Sequence, residues 1–236
     1  MSDELKRRPS LAEVLSTGLR RPPRRPRNGP AGYVVPLKRR LQSFQIELLH
    51  ADYADFARQP RFAALVDFFF GAVYAPQDFG LRNDSFRSLH DWLRGVVGPE
   101  PVRVLGNAIE LYDLTESLDD DMVLALRSLA AEVVLDRPAW ERAYGRVGRP
   151  LDRQRQMELL VNSGAVMEIA ARVPLVYWQL RAVRPAAGLL GWAHVIDFLL
   201  EGQVALTQAH PIRPLLEAII ERETLRMERL LPAVPG

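Results

Sequence analysis

The chain has 236 residues, 48% hydrophobic and 25% charged, which is the make-up of an ordinary globular protein long enough for a real core. It has no cysteine, which excludes a disulfide framework, a thiolate nucleophile and cysteine-held zinc or iron–sulfur sites, and fits a cytoplasmic location. The net charge of +2 hides an asymmetry: residues 1–40 hold eleven Lys/Arg against three acidic residues, leaving 20 basic and 26 acidic residues for the rest.

Residues 1–35 are rich in arginine, proline and glycine and have little to bury, so they are expected to form a disordered basic tail. Within it, Ser10 and Glu13 have capping-box spacing. Leu11, Val14 and Leu15 add a short apolar stripe before Gly18. That suits a helix near 10–18 that forms only on docking, because two turns are not stable alone. Arg20, Arg21, Arg24, Arg25 and Arg27 suit contact with an anionic surface or nucleic acid through charge. No aromatic interleaves them, which argues against a base-stacking reader. Met1 to Asn28 carries no hydrophobic core of a signal peptide. The longest uncharged apolar run near the C-terminus, Pro185 to Ile196, is too short to span a bilayer.

From 36 to 232 the pattern predicts one all-α domain, an irregular bundle of about eight to ten helices. Pro36 opens a helix reaching Gln59, with Leu37, Leu41, Phe44, Leu48 and Phe56 at helical spacing. Pro60 opens a phenylalanine-rich helix that Pro76 stops near Tyr74. Asp84 caps a helix through Phe86, Leu89, Leu93 and Val97. After Gly98-Pro99 and Pro101, a helix runs from Val102 towards Leu118 or Ala130, with Asp119-Asp120-Asp121 reading as a loop or helix end. Asp136 caps a short helix through Trp140, Tyr144 and Val147, ended by Gly148-Arg149-Pro150. A long helix over Leu151–Val173 follows, then a short one over Pro174–Val183. Pro185 starts another through Trp192, Phe198 and Leu206, and a last one covers Pro211–Leu231.

The corner Asp67–Leu93 crowds three phenylalanines, Tyr74, Pro76, Asp78, Phe79 and Arg82 into one stretch. Its simplest reading is a helix–turn–helix corner with an ion pair or cap in the loop. A sharper reading makes Tyr74, Asp78 and Arg82 line a polar pocket beside an apolar core. The segment Arg40–Arg82, RLQSFQIELLHADYADFARQPRFAALVDFFFGAVYAPQDFGLR, resembles an uncharacterised family of bacterial, mostly proteobacterial, all-helical proteins. These carry a Tyr-x-Pro-x-Asp-Phe turn after a Phe-rich helix, and a downstream run similar to AYGRVGRPLDRQRQMELL, Ala143–Leu160. The resemblance covers roughly Leu37 to Glu201 and implies no established activity and no catalytic residues. This chain departs from the pattern with Tyr112 where histidine is expected and Asn83 where an acidic residue is usual.

Candidate chemistry is sparse. Glu47 and His50 form a Glu-x-x-His, but no second such pair exists to complete a di-iron site, so no metal is assigned. Glu110, Asp113, Glu116 and Asp120 recur on one helix face, with Asp119 and Asp121 beside them. They read first as a solvated face and second as an oxygen-rich cation site. Arg149, Arg153, Gln154, Arg155 and Gln156 form a polar patch in which Arg153 and Gln156 share a face and can reach Asp78 or Glu110, through an internal salt bridge or around an anion. His194 reads as a core histidine, and Gly188 to Gly191 as a place for close helix packing. No Walker, Rossmann, nucleophile-elbow or zinc-protease motif is present, and no cofactor is implied. The leading expectation is a non-enzymatic partner-binding, adaptor or regulatory protein whose basic tail is the tether. The alternatives are a small-molecule- or metal-binding enzyme with a pocket among Tyr74, Asp78, Arg82, Glu110 and Arg153, and weak nucleic-acid binding by the tail.

Overall fold

A computed structural model of the chain describes residues 35–72, 99–129, 134–189 and 193–231. The basic arm and the corner holding Tyr74, Asp78 and Arg82 lie outside the described residues, as does Trp192. The described residues form nine α-helices and one π-helical segment with no strand among them, the all-α class that the periodicity predicts.

Helix α1, Val35–Asp52, has Pro36 in its first turn, where the missing N–H costs nothing. It ends short of the expected Gln59. Tyr53 (φ −116°, ψ 22°) leaves helical geometry, and its fully buried ring lies 5.0 Å from that of Phe70. A four-residue α2, Ala54–Ala57, follows. Gln59 is extended, as the residue before a proline must be, and α3 covers Pro60–Asp67. It runs on into the π-helical segment Phe68–Ala72.

Helix α4 spans Pro99–Ser128, so the aspartate triplet sits inside a helix rather than at its end. Helix α5, Arg137–Val147, opens as expected: the Asp136 carboxylate accepts the Ala139 N–H at 2.8 Å. It closes at Gly148, whose φ of 63° suits glycine. Helix α6 is Pro150–Ala171 and α7 is Pro174–Leu189. Helix α7 contains Pro185 instead of ending before it, correcting the expected break. Pro185 and Arg181, whose carbonyl loses its helical partner, are both on exposed positions. Helix α8 is Ala193–Ala209 and α9 is Arg213–Leu230.

Contacts divide the chain into two compact units, and α1, α4 and α6 each supply residues to both. The first unit takes the described parts of Met1–Phe44, Glu110–Asn162 and Pro214–Gly236. Its core includes Leu41, Val123, Leu126, Ala143, Leu159, Leu215 and Ile219, all essentially inaccessible to solvent. The second takes the described parts of Gln45–Ile109 and Ser163–Arg213. Here α8 packs on α3 and on the π-helical segment, and α7 on α8. Phe68, Phe69 and Phe70 are all buried; Phe68 lies 4.9 Å from Phe198, and Phe56 5.2 Å from Phe62. Burial of each such ring stabilises by about 1.5–3 kcal/mol.

Two further expectations change. A Cβ on Gly188 would meet nothing within 4 Å, so Gly188 is not a close-packing site. That role falls to Gly202, where a Cβ would sit 2.5 Å from the Phe68 ring. His194 is exposed rather than in the core.

Candidate functional site

Of the five pocket candidates, Glu110 and Arg153 are among the described residues, and both lie in the first unit, where the Ala143–Leu160 run turns from α5 into α6 beside α4. The turn itself is unusual, because Gly148 and Arg149 both have positive φ (63° and 57°), and arginine adopts that geometry at a cost. Arg149 is held there by its side chain. Its Nε donates to Asp152 at 2.9 Å, and its Nη1 donates to Ser117 Oγ at 3.0 Å and to the Asp121 carboxylate. Burial alone would lower its pKa, but the hydrogen bonds to Asp152 and Asp121 and their charges raise it.

Arg153 is buried and turns back on the same corner. Its Nε donates to the Gly148 carbonyl at 3.0 Å, and its guanidinium lies over the Tyr144 ring at 3.5 Å. Burial lowers the Arg153 pKa against the opposing pull of Tyr144, and burial raises the Tyr144 phenol.

Glu110 and Arg153 were expected to converge, but each has its own partners. Glu110 takes Arg155 instead, with Nε and Nη2 donating to the two carboxylate oxygens at 2.8 and 2.9 Å. This is a bidentate fork with Arg155 1% exposed. A second carboxylate, Glu158, stands 3.7 Å from Arg155 Nη1 and accepts from Gln154 at 3.2 Å. Asn162 Nδ2 donates to the Glu158 carbonyl at 2.7 Å. Two buried carboxylates thus share one guanidinium, leaving one formal negative charge among these three side chains. Gln156 donates to Thr115 Oγ1 at 2.7 Å.

The acidic row on α4 is not a solvated face. Lys38 Nζ donates to Glu116 at 2.8 Å and Asp120 at 2.7 Å, while Gln42 Nε2 donates to Glu116 and Asp119 at 3.1 Å each. Asp119 is buried. Burial would lower the Lys38 pKa, but its bonds to Asp120 and Glu116 outweigh that and raise it. Lys38 therefore belongs to the folded body, although it is one of the eleven basic residues of positions 1–40. Its signal was its spacing: Lys38 and Gln42 stand four apart on α1, as Glu116 and Asp120 do on α4. Arg155, Glu158 and Asn162 likewise form an i, i+3, i+7 polar stripe on α6 among Met157, Leu159 and Val161.

In the second unit Glu47 is exposed, and His50 faces Asp67 at 3.8 Å and the edge of Phe70. Among the described residues no group of three or more His, Asp or Glu could hold a metal ion, and no helix is long and apolar enough to cross a membrane. On α7, Trp178 is 62% exposed and Leu189 91% exposed. Arg181 stands 6.0 Å from the Trp178 ring.

No curated protein and no solved structure matches the chain. Residues 35–235 match the model of a family described as a domain of unknown function, DUF8198, a range that starts where α1 starts and takes in every element described above. The chain belongs to that family.

Proposed function

We propose that the protein is a non-enzymatic partner-binding protein, an adaptor or regulator of the cytoplasm, with residues 36–232 acting as one helical domain and the arginine-rich arm (Arg20, Arg21, Arg24, Arg25, Arg27) as its tether. On this reading it is one of the bacterial, mostly proteobacterial, proteins with the Tyr74-to-Phe79 turn. The supporting observation is how the buried charges are used. Glu110, Asp119, Arg153, Arg155 and Glu158 are each engaged by another group of the same chain. Charges engaged in this way hold helices together, which favours a working part on the surface. Trp178 is the kind of large exposed side chain that anchors interfaces.

The test compares cross-linked partner recovery by the full-length chain, by a chain lacking residues 1–34, and by Asp78→Ala and Arg82→Ala chains, with helicity followed by circular dichroism. Loss of the partner on removing the arm, with the body still helical, is the expected result. Partner recovery that survives arm removal and vanishes with Asp78→Ala or Arg82→Ala overturns the reading in favour of a pocket at the corner.

A further inference from the structure

Three side chains meet at the C-terminal end of α8, in the second unit. His210 Nδ1 lies 2.6 Å from Glu168 Oε1 on α6, and its Nε2 faces Nη2 of Arg172, the residue that follows α6. The same Glu168 oxygen accepts the Ile212 N–H at 3.0 Å. A guanidinium can only donate, so Nε2 must carry the lone pair and the ring proton must sit on Nδ1, donated to Glu168. The geometry therefore selects one neutral tautomer of His210, with both ring nitrogens in use.

We propose that His210 is a proton-operated latch. The neutral ring ties Arg172, and with it the start of α7 two residues on, to the end of α8, and the protonated ring lets Arg172 go. A proton added at Nε2 turns the acceptor into a donor and sets imidazolium against guanidinium, like charges in contact. Glu168 keeps its hold on Nδ1 in both states, so the break falls on Arg172 alone.

Among the described residues, the charged groups in contact with the ring are Glu168 from α6 and Arg172 from the α6–α7 connection; Arg213, the first residue of α9, is the next cation along the chain. The neighbouring Thr207 hydroxyl donates to the Gln203 carbonyl at 2.7 Å and carries no charge. The direction follows: the latch is closed while His210 is neutral and opens when the ring is protonated at lower pH, histidine being the side chain that commonly serves as such a switch. What it frees is the stretch carrying the exposed Ile169 and Val173, which leads into the helix of Trp178.

The experiment uses the full-length protein. Long-range nitrogen–proton NMR reads the His210 tautomer, and hydrogen exchange, corrected for intrinsic rates, reads amide protection over residues 170–173 at about pH 7.5 and about pH 5, either side of the histidine range. The expected result is an Nδ1–H tautomer at the higher pH and protection about tenfold lower at the lower pH, the size that one net hydrogen bond supplies. Arg172→Gln is the control, because a neutral amide donates to the neutral ring and accepts from the protonated one. It is expected to make protection over 170–173 independent of pH. An Nε2–H tautomer at the higher pH overturns the proposal. So does equal protection at both pH values in the unsubstituted chain, or full pH dependence retained in Arg172→Gln.

Discussion

Arg155→Met tests the buried fork most directly. Methionine fills much of the arginine's volume without its charge, so the substitution leaves Glu110, 3% exposed, with neither of its two short donors at 2.8 and 2.9 Å. Glu158 also loses the cation 3.7 Å away. Removing one member of a buried pair strands charge in the interior, which costs about 3–5 kcal/mol. A domain of this kind has a total stability of about 5–15 kcal/mol, so the variant keeps its fold but loses a large share of its margin. Adding Glu110→Leu should restore part of the loss, with Glu158 still lacking its cation, because apolar replacement of a buried pair is often close to neutral. Urea unfolding followed at 222 nm, with a check that the slope is unchanged, gives both quantities. A single variant losing less than about 1 kcal/mol, or a double variant no better than the single, would refute the reasoning that the fork neutralises buried charge.

Three further outcomes are expected. Lys38→Met should cost about 1.5 kcal/mol at neutral pH through its lost charged hydrogen bonds. Because the Lys38 pKa is raised in the fold, its contribution is present below the ordinary lysine value and is lost as pH rises through the raised one. The urea midpoints of wild type and Lys38→Met should therefore draw together in alkali. Asp136→Ala removes the cap on α5 and should cost about 1 kcal/mol, with Asp136→Asn recovering most of it in the same unfolding assay. Gly202→Ala presses a methyl into the Phe68 ring and should cost about 1–3 kcal/mol, read as a lower Tm. The same change should be much milder in a chain that already carries Phe68→Leu.

Where the sequence reading succeeded, the cause was local. Asp136 before Pro138, glycine at 148 and proline at 150 each act on the backbone within a residue or two of themselves, so the limits of α5 were legible. Where it failed, a distant contact decided. Nothing near Tyr53 says that its ring will be buried on Phe70 and break α1, and nothing near Pro185 says that its helix face will be outward. The buried charges show the same limit. Periodicity assigns charged residues to the outside, so it grouped Arg153 with Gln156 and took the α4 acids as a wetted face. The actual partners are Gly148 and Tyr144 for Arg153, Glu110 for Arg155, and Lys38 and Gln42 for the acids. Finding them needs to know which helix lies opposite, and spacing along one helix does not carry that.

The π-helical segment Phe68–Ala72 has a consequence for how this chain can vary. Three successive phenylalanines are all enclosed, Phe68 beside Phe198 and Phe70 beside Tyr53, and a wider helical turn lets adjacent positions share an inward arc that a normal pitch would spread apart. Such a turn amounts to one surplus residue in the register of the helix. A relative one residue shorter between Asp67 and Gly71 would regain the ordinary pitch and swing one of the three positions towards water. It should carry a polar side chain there, and a single-residue deletion in this chain should be tolerated only when paired with that exchange.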